Sequence, residues 1–100
     1  RLLRYRGMGS VWAADLAAYD VVLTTYEALR SDLSRTSESV QSPLLHCQWW
    51  RVVLDEAQMV GNTSSAAARM ASDLARCNSW CVSGTPISNR VRDLHGLLQF

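Results

Sequence analysis

No apolar run in this sequence approaches the ~20 residues that cross a bilayer, and no signal peptide opens it. The expectation is therefore a protein without a membrane role. Cysteine is sparse as well. The three thiols, Cys47, Cys77 and Cys81, are odd in number and lack CxxC spacing. That sets aside a disulfide framework and a zinc ribbon, and it suits a reducing compartment. Charge is nearly balanced at +1. No global basic field advertises nucleic acid, so any such contact must use local patches. No internal repeat is present. What the sequence does hold is 48% hydrophobic residues in 100 positions, enough to bury a core in at most one small domain. It begins at Arg1 and ends at Phe100 within an apolar segment, so both ends read as cuts in a longer protein.

Strand-like and helix-like pieces alternate along the chain. "YDVVLTTYE" has a β-branched apolar centre and predicts a buried strand over 20–25. "YEALRSDL" follows with Ala28, Leu29 and Leu33 at helical spacing. "SRTSESVQSP" (34–43) is polar and serine-rich, hence a loop. "LLHCQWW" leads into "RVVLD", a second strand. In "GNTSS", Asn62 and Thr63 are the expected caps of a helix that places Ala66, Ala67, Met70, Ala71 and Leu74 on one face. "SWCVSG" reads as a third strand, stopped by Gly84 and Pro86, and "VRDLHGLLQF" as a last amphipathic helix. At the start, Leu2 to Tyr5 suggests a strand and Val11 to Ala18 a short helix. This alternation predicts an α/β fold with a three-layer parallel sheet covered on both faces.

In open parallel sheets, ligands bind beyond the carboxyl ends of the strands. Asp55 and Glu56 follow the apolar run Val52–Val53–Leu54 directly, which puts both acids at that rim. An acid there can hold Mg²⁺ through water, and its neighbour can deprotonate an attacking water. Two solvated acids at an ordinary strand end are the plainer reading of this pair alone. "WCVSGTPISN" ends a second strand in small and hydroxyl residues. If the two strands are neighbours, ~4.8 Å apart, Ser83 and Thr85 fall beside the acids.

Taken together and in this order, these segments resemble the SWI/SNF-type DNA-dependent ATPases of helicase superfamily two. "LDEAQ" is similar to motif II of that family, "SGTPI" to motif III, and "YDVVLTTYEALRSDL" to the segment carrying motif Ib. The resemblance runs from Tyr19 to Phe100 and is weaker before that. Gln58 stands where most members have His in motif II; with "WWRVVLDEAQMV" and "DLHGLLQF" this looks like the SHPRH-type subgroup, nuclear ATPases that also carry a RING ubiquitin-ligase module.

The resemblance implies that residues 1–100 are the C-terminal part of the first RecA-like (P-loop NTPase) lobe, with ATP and Mg²⁺ as cofactors. It makes Asp55 the Mg²⁺ residue and Glu56 the catalytic base. Gln58, Ser83, Gly84 and Thr85 would couple hydrolysis to DNA movement. Thr24, Thr25 and Tyr26 would lie on the DNA side, with hydroxyls or backbone amides on phosphate oxygens. Duplex DNA or chromatin is the implied partner, ubiquitin machinery a further one through a RING outside this chain, and the nucleus the implied location. Many members carry Arg just before the motif III strand, where this chain has Asn78 and Ser79, so that contact is lost or supplied elsewhere. No GxxxxGK[ST] loop occurs to cradle phosphates, and the second lobe with its arginine finger is absent. The chain alone is therefore expected to be inert. A pseudo-ATPase scaffold or DNA clamp of the same fold, and an RNA helicase of the superfamily, are the rival readings.

Other features take plainer readings. Trp49 and Trp50 are expected to pack beside the second strand rather than stack on a base. Arg1, Arg4 and Arg6 read as solvated, His46 and His95 as structural or surface residues, and Met59 and Val60 as packing at the turn after motif II.

Overall fold

The computed structural model describes residues 1–60 and 65–84. Expectations that fall on Asn62, Thr63, Thr85, Pro86, His95 and the helix over 91–100 lie outside the described residues.

Two parallel strand pairs organise these residues. β1 (Leu2–Arg4) pairs with β2 (Val21–Leu23), and α1 (Ala13–Leu16) lies in the crossover between them. α2 (Tyr26–Arg35) follows β2. β3 (Trp49–Asp55) pairs with β4 (Arg76–Val82), with α3 (Ala66–Asp73) in their crossover. Parallel neighbours require such crossovers, and the predicted order of elements holds from β1 through β4.

Several boundaries differ from the sequence reading for definable reasons. β4 begins at Arg76 rather than Ser79, because Arg76 and Asn78 take their places opposite Trp49 and Arg51 in the ladder. Backbone pairing, not side-chain hydrophobicity, sets that start. The cap of α3 is Ser65, whose Oγ accepts from the Ala68 N–H at 3.1 Å, rather than Asn62 or Thr63. Any of the four residues in "NTSS" is a good cap. Starting at Ala66 points Ala68, Met70 and Ala71 inward together, so Ala68 is buried where Ala66 was expected.

One core joins both strand pairs. Tyr5, Leu16, Leu29, Leu44, Leu54, Met70 and Leu74 belong to a single buried cluster, with Val22, Trp49 and Val52 packed against it. The β3–β4 pair is covered on one face only among the described residues. Val52 and Leu54 face the core, whereas Val53 (48% exposed), Trp80 (53%) and Val82 (49%) line the opposite, open face. Arg51 lies over the Trp80 ring at 4.1 Å from its centroid, covering part of that face by a cation–π contact. Trp49 is half-buried and donates from Nε1 to the Leu44 carbonyl at 3.0 Å, while Trp50 is exposed.

A buried polar knot fixes the start of the chain to α2. Asp32 and Ser42 are fully buried. The Asp32 carboxyl accepts from Tyr5 Oη at 2.6 Å, Ser42 Oγ at 2.5 Å and the Met8 N–H at 3.0 Å. Gly7 has φ +128°, which turns the chain so that Met8 can reach Asp32. Burial, with the Asp32 hydrogen bond second, pushes the Tyr5 phenol above the ordinary tyrosine range. The serine-rich loop is therefore not polar throughout its surroundings: its last serine is a core residue.

Candidate active site

β3 delivers Asp55 and Glu56 at its carboxyl end, both exposed. Glu56 has φ +48°, in the left-handed region. A non-glycine residue there costs about 1–3 kcal/mol and persists only where its surroundings hold it. Four contacts do so. Asp55 Oδ1 accepts from the Glu56 N–H at 2.9 Å. The Tyr26 hydroxyl donates to the Asp55 carbonyl at 2.5 Å. Gln58 Nε2 donates to Glu56 Oε2 at 2.5 Å. The Met59 N–H donates to the Glu56 carbonyl at 3.0 Å and opens a 3₁₀ turn over Ala57–Val60. Ala57 and Val60 anchor that turn in the core; the expected packing thus holds for Val60 but not for Met59, which points out.

The second strand end meets the first through Gln58. Because Asp55 stands opposite Val82 in the ladder, Ser83 emerges beside the turn that carries Gln58. Ser83 Oγ donates to Gln58 Oε1 at 2.5 Å. Glu56, Gln58 and Ser83 thus form one hydrogen-bonded row. Gly84 follows, exposed.

Thr24, Thr25 and Tyr26 leave β2 on the same side of the strand ends as the start of α2. The Thr24 hydroxyl donates to the Tyr5 carbonyl at 3.0 Å, tying the ends of β1 and β2 together. Thr25 is the N-cap of α2 and accepts from the Ala28 N–H at 3.1 Å. Tyr26 is half-buried. Burial pushes its phenol up to about 12, helped by repulsion of the phenolate from Cys81, once that thiol is ionised, and from Asp55 and Glu56. Thr25 and Arg6 share the lining of an open cleft of about 390 Å³ with Tyr5, Glu27, Ala28 and Ser31.

The polar environment before motif III is also filled. The Arg76 guanidinium donates to the Ala71, Ser72 and Leu74 carbonyls at 3.2, 3.2 and 2.8 Å, satisfying the C-terminal end of α3. Its Nε donates to Ser79 Oγ at 2.5 Å, and Asn78 Nδ2 donates to the Trp50 carbonyl at 2.8 Å.

Asp55 suits a hard cation: it presents an exposed carboxylate at a strand end. Among the described residues no three His, Cys, Asp or Glu side chains converge. A cation on Asp55 would draw its other ligands from water and phosphate oxygens, the habit of Mg²⁺. Two functional contacts lie beyond the sequence reading. Asp32 falls at helical spacing from Ala28 and Leu29, so its phase is visible in the same stripe, but its charge argues against burial. The Tyr26–Asp55 contact spans 29 residues, and no local pattern announces it.

Parallel strands that bring paired acids and a Ser–Gly turn together at their carboxyl ends have the arrangement of part of a RecA-like lobe. Comparison of structures agrees. The SWI2/SNF2 ATPase core of Sulfolobus solfataricus, solved in complex with dsDNA, matches with a TM-score of 0.72 and 28% identity, over 97% of this chain and 18% of that one. The SNF2-related domain model matches residues 10–100, and the chain belongs to that family. It is 39% identical over 121 residues to the E3 ubiquitin-protein ligase SHPRH of Mus musculus and of Homo sapiens, covering all of this chain and 7% of each relative. It is 39% identical over 85 residues to the DNA repair protein RAD5A of Arabidopsis thaliana, covering 85% of this chain and 8% of that protein. The chain therefore spans less than a tenth of the length of these relatives.

Proposed function

We propose that this chain is the motif Ib–II–III segment of an ATP-driven motor that moves along duplex DNA. The row Glu56–Gln58–Ser83 carries this reading, because it links a candidate base directly to the strand end that would sense the reaction. Mg²⁺, when bound, would neutralise charge building on the phosphates, and Asp55 would hold it through water. Glu56 takes the proton of the attacking water, and the hydrogen bond from Gln58 fixes the carboxylate's direction. A proton gained by Glu56 weakens its acceptance from Gln58, and the Gln58 amide passes that change to Ser83. Gly84 and Thr85, next in sequence after Ser83, share the coupling role that the family resemblance gives this motif.

Thr24, Thr25 and Tyr26 form the DNA side. The amides of the first turn of α2 project from its N-terminus, where phosphate oxygens are favoured. Relatives named for DNA repair and for ubiquitin ligation support a nuclear protein acting on DNA or chromatin, with RING-dependent ligase activity supplied outside these residues. Steady-state ATP turnover by the full-length protein, with and without duplex DNA, tests the reading. DNA-stimulated turnover is expected; turnover stimulated only by RNA, or absent altogether, contradicts it.

A further inference from the structure

Tyr26 stands in the segment proposed to face DNA, yet its side chain does not end there. It crosses to motif II and donates its hydroxyl to the carbonyl of Asp55 at 2.5 Å. That carbonyl belongs to the peptide joining Asp55 to Glu56. The N–H of the same peptide is held by Asp55 Oδ1 at 2.9 Å. Both polar groups of one peptide plane are therefore fixed, one by Asp55 itself and one by a residue on another element. The plane leads into Glu56 at φ +48°, a conformation the residue would not keep unaided.

We infer that Tyr26 is a positioning residue: its phenol locks the Asp55–Glu56 peptide so that Glu56 stays aimed, and it makes the DNA-facing segment part of the active site. The inference rests on the proposed ATP hydrolysis and adds a role for Tyr26 other than phosphate contact. Thr25 caps α2 and Tyr26 is the first residue of that helix, so a shift of the cap by bound DNA moves the phenol's origin with it. Without the hydroxyl, the peptide plane keeps only its hydrogen bond to Asp55, and the strained φ of Glu56 rests on its remaining contacts to Gln58 and Met59. The carboxylate is then held less firmly in direction. The hydroxyl is engaged by the Asp55 carbonyl, so DNA contacts made by the backbone amides at the start of α2 are expected to persist.

Tyr26→Phe in the full-length protein removes only the hydroxyl and keeps the ring's packing. Two readouts apply. In nucleotide-free protein, amide hydrogen exchange over residues 56–60 is expected to rise ~2–10-fold, as befits one lost hydrogen bond, with α3 unchanged. In turnover assays kcat is expected to fall ~10-fold or more, because small misplacements of a reacting group are costly. KM for ATP, DNA affinity and melting temperature should stay near wild type. Unchanged exchange over 56–60 overturns the inference, as does weaker DNA binding with normal kcat at saturating DNA. A kcat loss that merely tracks a lowered melting temperature also overturns it. Wild-type protein that lacks ATP turnover contradicts the proposed function, and that control identifies the failure independently of the exchange result.

Discussion

Ser83 donates its hydroxyl to Gln58 Oε1 at 2.5 Å, and this contact joins the carboxyl ends of β3 and β4. The same Gln58 amide donates to Glu56, so a change at either strand end reaches the other through one side chain.

If that row transmits, Ser83→Ala and Gln58→Ala should each lower DNA-stimulated ATP turnover, and the double substitution should be little worse than either alone. Residues in one hydrogen-bond network couple by ~0.5–3 kcal/mol. A double-mutant cycle on kcat measures this. Strictly additive losses would show that Gln58 and Ser83 act separately.

Asp55→Asn should raise the Mg²⁺ concentration needed for half-maximal turnover. The substitution removes the charge that attracts the cation while leaving the shape. A magnesium titration of the full-length protein checks it, and an unchanged midpoint would take Asp55 out of the metal role.

The polar knot at Asp32 should be worth more than its size suggests. Asp32→Ala removes the acceptor of the buried Tyr5 and Ser42 hydroxyls, leaving them only each other at 3.4 Å, and that of the part-buried Met8 N–H. Each buried donor left unpaired costs about 1–3 kcal/mol. A thermal melt of the intact ATPase domain should drop sharply, and a surface change such as Arg30→Ala should leave it unmoved.

The raised titration of Tyr5 has a defined sign. Its phenol is held neutral in the folded state above the ordinary value of 10.0, first by burial and next by the Asp32 hydrogen bond. The resulting stability is fully present below pH 10.0 and is lost as pH rises beyond it toward the folded-state value. Tyr5→Phe should therefore flatten the alkaline fall in melting temperature. An identical alkaline limb in both proteins would contradict the burial of this phenol.

Local pattern made the strand ends readable. Val52 to Leu54 is an apolar run broken by two acids, and "VSG" closes another, so the rim of the sheet was legible without any contact information. The sequence left the pairing of those strands a condition, and the parallel ladder from Trp49–Arg76 to Asp55–Val82 meets it. What local pattern could not show is which face of each strand has a partner. Val53 and Val52 are the same residue type, yet only Val52 meets the core. Nor could it show that Thr24 and Tyr26 spend their hydroxyls on carbonyls elsewhere in the fold, because those partners are 19 and 29 residues away. Asp32 is a different case: its helical phase was visible, and the charge concealed its burial.

The most direct test of the account is Glu56→Gln in the full-length protein, measured by nucleotide binding and by single-turnover hydrolysis with saturating duplex DNA. The substitution keeps the side chain's shape and removes its capacity to take a proton. Hydrolysis should fall ~10²–10⁴-fold, the usual effect of losing a general base, while ATP still binds. Near-normal hydrolysis with intact binding would contradict Glu56 as the base, and with it the reading of the Glu56–Gln58–Ser83 row.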